Sequence, residues 1–362
     1  MKFRIVVLPG DGIGPEITRA AVNVLQVVGK KYGHNFDLYD GLIGGVAIDA
    51  TGLSLPPDVL KESRKSDAVL MGAVGDPRFD TPGTKVRPED GMLALRKKLD
   101  LFANLRPVKA LPMLVHASNL KPEVVEGVDF IFVRELTGGL YFGRPKKRWQ
   151  TDRGWRAVDT MTYSEPEIER VIRVGFELAR RRKKKLISID KANVLECSRL
   201  WRQVATGLAK SYPDVELEHM LVDAASMRLI QNPKHFDVVV SENTFGDILT
   251  DEASMLAGSM GMLPSASLAG VPQEGVRTLG LYEPAHGSAP RRAGQNMANP
   301  IATILSMAMM LRYSCGLTKE AQSVETAVID VLNDGYRTYD IMDEGMKKVG
   351  TREMGELIAG KV

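Results

Sequence analysis

Short apolar runs recur along this chain, and the stretches between them carry helical rather than alternating patterning. The runs are Phe3–Leu8, Ala68–Met71, Phe130–Val133, Leu186–Ile189 and Val238–Val240. A strand with one wet face alternates apolar and polar residues. A run without alternation is covered on both faces, as in a largely parallel sheet flanked by helices. After the first run, Ile17, Ala21, Val24, Leu25 and Val28 share a helical face that opens near Pro15, and Gly33 supplies the stop. Ser164-Glu165-Pro166-Glu167 spells a capping box ahead of a helix bearing Ile168, Val171, Ile172, Phe176 and Ala179. Short β-rich runs on either side of Asp152-Arg153-Gly154 predict a hairpin arm between Arg148 and Tyr163. The fold class is therefore α/β. A length of 362 residues suggests two domains. With no internal repeat and no Ser/Pro-rich linker, ordinary strands must join them.

Charge and cysteine content narrow the function classes. The 48 Lys+Arg against 45 Asp+Glu leave a net charge of +3, too mild to imply a polyanion partner. The basic run Arg180–Lys185 closes a predicted helix, where cations complement the dipole, and reads as a solvated helix end. Two cysteines, Cys197 and Cys315, exclude a disulfide framework and favour a reducing compartment. No apolar run approaches the roughly 20 residues of a bilayer span, and the first one is shorter than a signal segment. A cytoplasmic enzyme is expected, with neither membrane nor nucleic acid as partner.

Four segments carry chemistry. Gly10-Asp11-Gly12-Ile13-Gly14-Pro15-Glu16 joins a strand to a helix, but its G-x-G-x-G spacing is not the dinucleotide fingerprint and suits a tight turn better. Asp247 and Asp251 are four apart on one helical face. That is either a solvated face or a pair of hard oxygen ligands for Mg²⁺ or Mn²⁺, with Asp223, at the end of a Val215–Val222 strand, as a third. Arg96, Arg106 and Arg134 offer guanidinium forks, the last two at the ends of strand-like runs. Converging, they would suit a dicarboxylate. Lys191 follows another strand, where burial could make it a base.

Together these segments resemble the isocitrate/isopropylmalate family of metal-dependent β-decarboxylating dehydrogenases, and within it the isopropylmalate branch. The likeness runs from Leu8 to Leu311 and is strongest at Arg134–Gly143, Asp190–Leu195, Phe245–Asp251, Leu263–Leu268 and Glu283–Pro290. It implies a two-domain, non-Rossmann α/β homodimer. Residues 1–101 with 258–362 would form a discontinuous dinucleotide-binding domain. Residues 102–257 would form the substrate, metal and dimerisation domain, with its β-arm near 141–163.

The resemblance also implies roles. Arg96, Arg106 and Arg134 would hold substrate carboxylates, and Asp247, Asp251 and a second copy's Asp223 the Mg²⁺ or Mn²⁺. Lys191 of the second copy would be the base and Tyr141 the acid, with Asp223 also at the catalytic centre. Glu89, Met92 and Leu93, with Val194 from the second copy, would form the pocket that selects an isopropyl group. Met92 departs mildly from the E-x-x-L-L-x-x-R pattern. The expected reaction is oxidative decarboxylation of 3-isopropylmalate to 4-methyl-2-oxopentanoate, a step of leucine biosynthesis. Isocitrate, homoisocitrate and tartrate are the alternatives. Ile13, Glu283, His286, Gly287, Ser288, Ala289, Arg291 and Asn299 would contact the dinucleotide. NAD-using members carry an aspartate where this chain has Arg291-Arg292, so family habit points to NAD and local charge to NADP.

Overall fold

The computed structural model describes residues 1–81, 83–273 and 275–362. The chain order opens with β1 (Lys2–Gly10), α1 (Gly14–Tyr32), β2 (Asn35–Asp40), α2 (Gly45–Thr51), α3 (Pro57–Ser63), β3 (Ala68–Ala73) and α4 (Pro88–Lys98). Then come β4 (Ala103–Lys109), α5 (Pro122–Val125), β5 (Asp129–Glu135), β6 (Lys147–Thr151), β7 (Gly154–Val158), α6 (Glu165–Arg180) and β8 (Lys185–Asp190). Next follow α7 (Glu196–Ala209), β9 (Glu216–Leu221), α8 (Val222–Gln231), β10 (Val238–Ser241), α9 (Asn243–Ser254), β11 (Pro264–Leu268) and β12 (Gly280–Pro284). The chain closes with α10 (Ile301–Tyr313), α11 (Thr318–Asn333), β13 (Tyr336–Arg337), β14 (Lys347–Lys348) and α12 (Thr351–Lys361).

One ten-stranded sheet runs β2-β1-β3-β12-β11-β4-β5-β10-β8-β9. All five apolar runs fall inside its strands, and the residues of β3 and β10 are buried throughout. The expectation of a largely parallel sheet needs correction at the centre. The flanks are parallel, but β11 pairs antiparallel with both β12 and β4, and β4 with β5. The cause is connectivity. β5 returns along β4 without a crossover that would restore its direction, and an apolar run is the same in either direction. The capping box forms as read, with the Ser164 N–H donating to Glu167 Oε2 at 2.9 Å. α1 ends on Gly33 in the left-handed conformation. The β6–β7 hairpin pairs Lys147 with Val158 and Thr151 with Gly154, as an arm outside the main sheet.

Three local readings are corrected. Asp223 does not end a strand: β9 stops at Leu221 and Asp223 lies in the first turn of α8. The apolar Val222 opens that helix and so hid the boundary. Arg106 lies in the middle of β4 rather than at its end, since the strand runs on through Pro107-Val108-Lys109. The basic run is not simply solvated: Arg180 pairs with Asp214, Arg182 bridges Asp129 and Asp237, and Lys185 pairs with Glu218. Among the described residues no helix is long and apolar enough to cross a membrane.

Candidate active site

β4, β5 and α4 bring three arginines to one cavity of about 390 Å³, whose wall includes Glu89, Met92, Leu93, Arg96, Arg106, Arg134, Tyr141, Asp247 and Glu283. All three guanidinium groups come from buried residues. A buried cation is tolerated only when held by partners, and each is. Arg96 donates to Glu283 at 2.5 Å. Arg106 donates from Nε to Asn104 at 2.8 Å and from Nη1 to Thr250 at 2.6 Å, with Asp251 at 3.4 Å and Asp247 at 3.6 Å. Arg134 donates to Asn243 Oδ1 at 3.1 and 2.8 Å and to Asp247.

Burial, and next the Arg106 charge, pull the Arg134 guanidinium down to about 10, against the attraction of Asp247. It stays charged at neutral pH. Tyr141 donates to Asp247 Oδ2 at 2.8 Å. Burial and this bond to a carboxylate push its phenol up to about 12. A phenol so placed holds its proton at neutral pH. Burial favours the neutral form of Asp247, but Arg134 and Arg106 outweigh it and hold the carboxyl below its usual range.

Lys191 and Asp223 lie elsewhere. Just past the end of β8, Lys191 donates to Asp223, in the first turn of α8, at 2.6 Å, and Asp223 and nearby Val194 are exposed. One copy therefore gathers Asp247 and Asp251 on α9 and leaves Asp223 with Lys191. Among the described residues no three His, Cys, Asp or Glu side chains of one copy could together hold a metal ion.

A second cleft of about 490 Å³ includes Ile13, His286, Gly287, Ala289, Arg292, Asn299, Tyr339 and Asp340. It shares His286 and Gly287 with the arginine cavity. The glycine-rich turn is structural. Asp11 accepts from the backbone N–H groups of Gly45, Val46 and Gly75, each at 2.9 Å. Gly12 has φ +56°, and a side chain there would overlap the Ser288 carbonyl, which accepts from Ile13 N–H at 2.8 Å. Asn299 donates to Asp340 at 3.0 Å and accepts from Ile301 N–H. Of the two arginines, Arg292 rather than Arg291 faces this cleft, lying 4.4 Å over the Tyr339 ring and donating to its hydroxyl. Glu283, expected at the dinucleotide, pairs with Arg96 on the wall of the arginine cavity.

Residues 4–358 match the model of the isocitrate/isopropylmalate dehydrogenase family. A 3-isopropylmalate dehydrogenase of Dehalococcoides mccartyi is 64% identical over 360 residues, covering 99% of both chains. One from Geobacillus kaustophilus is 59% identical, over 99% of this chain and 95% of that one. The crystal structure of isocitrate dehydrogenase from Methylococcus capsulatus superposes with a TM-score of 0.86 at 33% identity, covering 99% of each chain. The chain belongs to the isocitrate/isopropylmalate dehydrogenase family. It has the fold of that family and is a decarboxylating dehydrogenase. Sequence reading of family motifs missed Asn104, Asn243 and Thr250, which hold the arginines. A polar side chain in a core has no periodic signature; only its place beside a motif, as in Asn243-Thr244-Phe245-Gly246-Asp247, could have flagged it.

Proposed function

We propose that the chain oxidises and decarboxylates 3-isopropylmalate to 4-methyl-2-oxopentanoate, in leucine biosynthesis, as a cytoplasmic homodimer. The observation that carries this reading is the composition of the cavity wall. Three held guanidinium groups face Met92 and Leu93 of α4. That wall suits a molecule with two carboxylates and one apolar branch. Burying three branch carbons is worth about 2 kcal/mol, whereas a third carboxylate there would be desolvated beside Glu89.

Asp247 and Asp251 fit a hard divalent cation in donor chemistry. Both oppose Arg106 and lie one turn apart, and Asp251 is exposed. Mg²⁺ or Mn²⁺ takes about six oxygens, and two carboxylates leave room for substrate and water and for Asp223 of a second copy, proposed as the third carboxylate ligand. When bound, the ion supplies charge neutralisation at the hydroxyl and carboxylate oxygens, and the dinucleotide accepts the hydride. Arg96, Arg106 and Arg134 orient the carboxylates, Lys191 of the second copy takes the hydroxyl proton, and Tyr141 protonates the enolate carbon. Val194 of that copy completes the apolar pocket. An exposed apolar face supports pairing of copies: Met227 and Ile230 on α8 and Ile248 on α9 lie on the elements that carry Asp223, Asp247 and Asp251.

The dinucleotide is assigned to residues 1–101 with 258–362, in the cleft of Ile13, His286, Gly287, Ala289 and Asn299, with Ser288 in its loop. Arg292 on Tyr339 is suited to a 2′-phosphate, so NADP is accepted as well as NAD. Initial rates with 3-isopropylmalate and Mn²⁺ test this, comparing the two dinucleotides. Reduction of both is expected. Turnover of isocitrate or tartrate but not of 3-isopropylmalate would overturn the substrate, and turnover with NAD alone would overturn the role of Arg292.

A further inference from the structure

Behind the arginine cavity lies a buried polar cluster that none of these roles uses. Glu135 ends β5 and Glu242 precedes α9, and both are almost wholly buried. Each carboxylate organises a different turn. Glu135 accepts from Thr137 N–H at 2.8 Å, from the Thr137 hydroxyl at 2.9 Å and from Gly138 N–H at 2.9 Å. Glu242 accepts from Thr244 N–H at 2.9 Å and Phe245 N–H at 2.6 Å, capping the helix that carries Asp247. One hydroxyl lies between them. Tyr163 Oη is 3.1 Å from Glu135 and 3.4 Å from Glu242, and it accepts from Asn243 N–H at 3.0 Å.

The Tyr163 ring also shapes the turn leading to Tyr141. Gly139 has φ +70°, and a side chain there would overlap the Tyr163 hydroxyl; at Gly138 a Cβ would lie 2.7 Å from the ring. The Gly139 N–H donates to the Thr162 carbonyl at 3.2 Å, and Asn243 Nδ2 donates to the Gly138 carbonyl at 3.0 Å. The turn is thus fastened to α9 on one side and to the return of the arm on the other. Tyr141 is two residues past Gly139 and meets Asp247, one turn into α9. The spacing between donor phenol and carboxylate is therefore set by how the turn and the helix start are joined, and Tyr163 joins them.

We propose that Tyr163 is a positioning residue of the reaction, whose hydroxyl fixes the Thr137–Gly139 turn against the start of α9 and so places the Tyr141 phenol. The proposal rests on the reading of Tyr141 as the proton donor. Replacing Tyr163 by Phe keeps the ring, including its edge contact with Trp201 at 5.9 Å, and removes only the bridge.

The test is a double-mutant cycle on the full-length protein. Tyr163→Phe is expected to lower kcat on the order of 10-fold with KM for the acid little changed. It should also enlarge the solvent deuterium isotope effect on kcat, because proton delivery becomes slower. In a Tyr141→Phe background the same change should cost nothing further, since the group it positions is gone. Glu135→Gln, which alters the other end of the bond and leaves the ring, should reproduce the pattern if Tyr163→Phe folds poorly. An unchanged kcat, or an equal loss in both backgrounds, overturns the proposal while Tyr141 stands. A Tyr141→Phe enzyme with the parent rate overturns both.

Discussion

The arginine cavity and the Lys191–Asp223 pair are both built from close ion pairs, yet they are opposites in construction. Arg134 is 3% exposed and has Asn243, Asp247 and the face of Tyr141 as partners. The Asp223 side chain is 57% exposed and has Lys191 as its ion-pair partner. The first region is finished: its cations are desolvated, forked onto partners and aimed. The second is open: two charged groups paired with each other beside exposed Val194. On the proposed roles, a single copy would complete the recognition of an acid but not the handling of its proton.

Four substitutions probe that contrast, from the largest effect down. Arg134→Ala should damage both properties. It leaves the buried Asn243 Oδ1 without its donor and Asp247 without its closest cation, so stability should fall by about 3 kcal/mol or more in denaturant unfolding, and kcat/KM should collapse with it. Lys191→Ala should separate them. Loss of a general base lowers kcat on the order of 10³-fold, whereas the denaturant midpoint should scarcely move, because an exposed pair contributes little. A marked loss of stability there would mean that the pair is structural and the contrast false.

The smallest effect lies in the pH dependence of unfolding. Burial raises the folded-state carboxyl of Glu135 above its unfolded value. Its contribution is fully present below the unfolded value and declines as pH rises through the folded one. Asp223 is the reverse. The bond from Lys191 holds its carboxyl below the usual range, so its contribution is present above the unfolded value of about 3.8 and is lost as pH falls through the folded one. Thermal unfolding against pH should therefore show Glu135→Gln and Asp223→Asn departing from the parent with slopes of opposite sign. Slopes of the same sign would remove the distinction between the two environments.

The sheet was legible because burial on both faces writes itself as uninterrupted apolar residues, and β1, β3, β5, β8 and β10 all follow that rule. Strand direction was not, since nothing within Ala103–Lys109 marks which way it runs beside Asp129–Glu135. For the site, the sequence yields residue types and a resemblance, from which Arg96, Arg106, Arg134, Tyr141 and Asp247 could be named. It does not yield what holds them. Asn104 reaches Arg106 from two residues away, but Thr250 reaches it across 144 positions and Tyr163 meets Glu242 across 79. Such bonds depend on which strands become neighbours, and no local spacing records that.

The wall formed by His286 and Gly287 belongs to both clefts. Two ligands that lean on one partition are not independent guests. If the two clefts hold the acid and the dinucleotide as proposed, any influence of one on the other is equal in both directions by thermodynamic linkage: an acid that tightened the hold on the dinucleotide tenfold would have its own hold tightened tenfold by the dinucleotide. On that reading the shared wall is itself the route between the two rooms, with no separate messenger required.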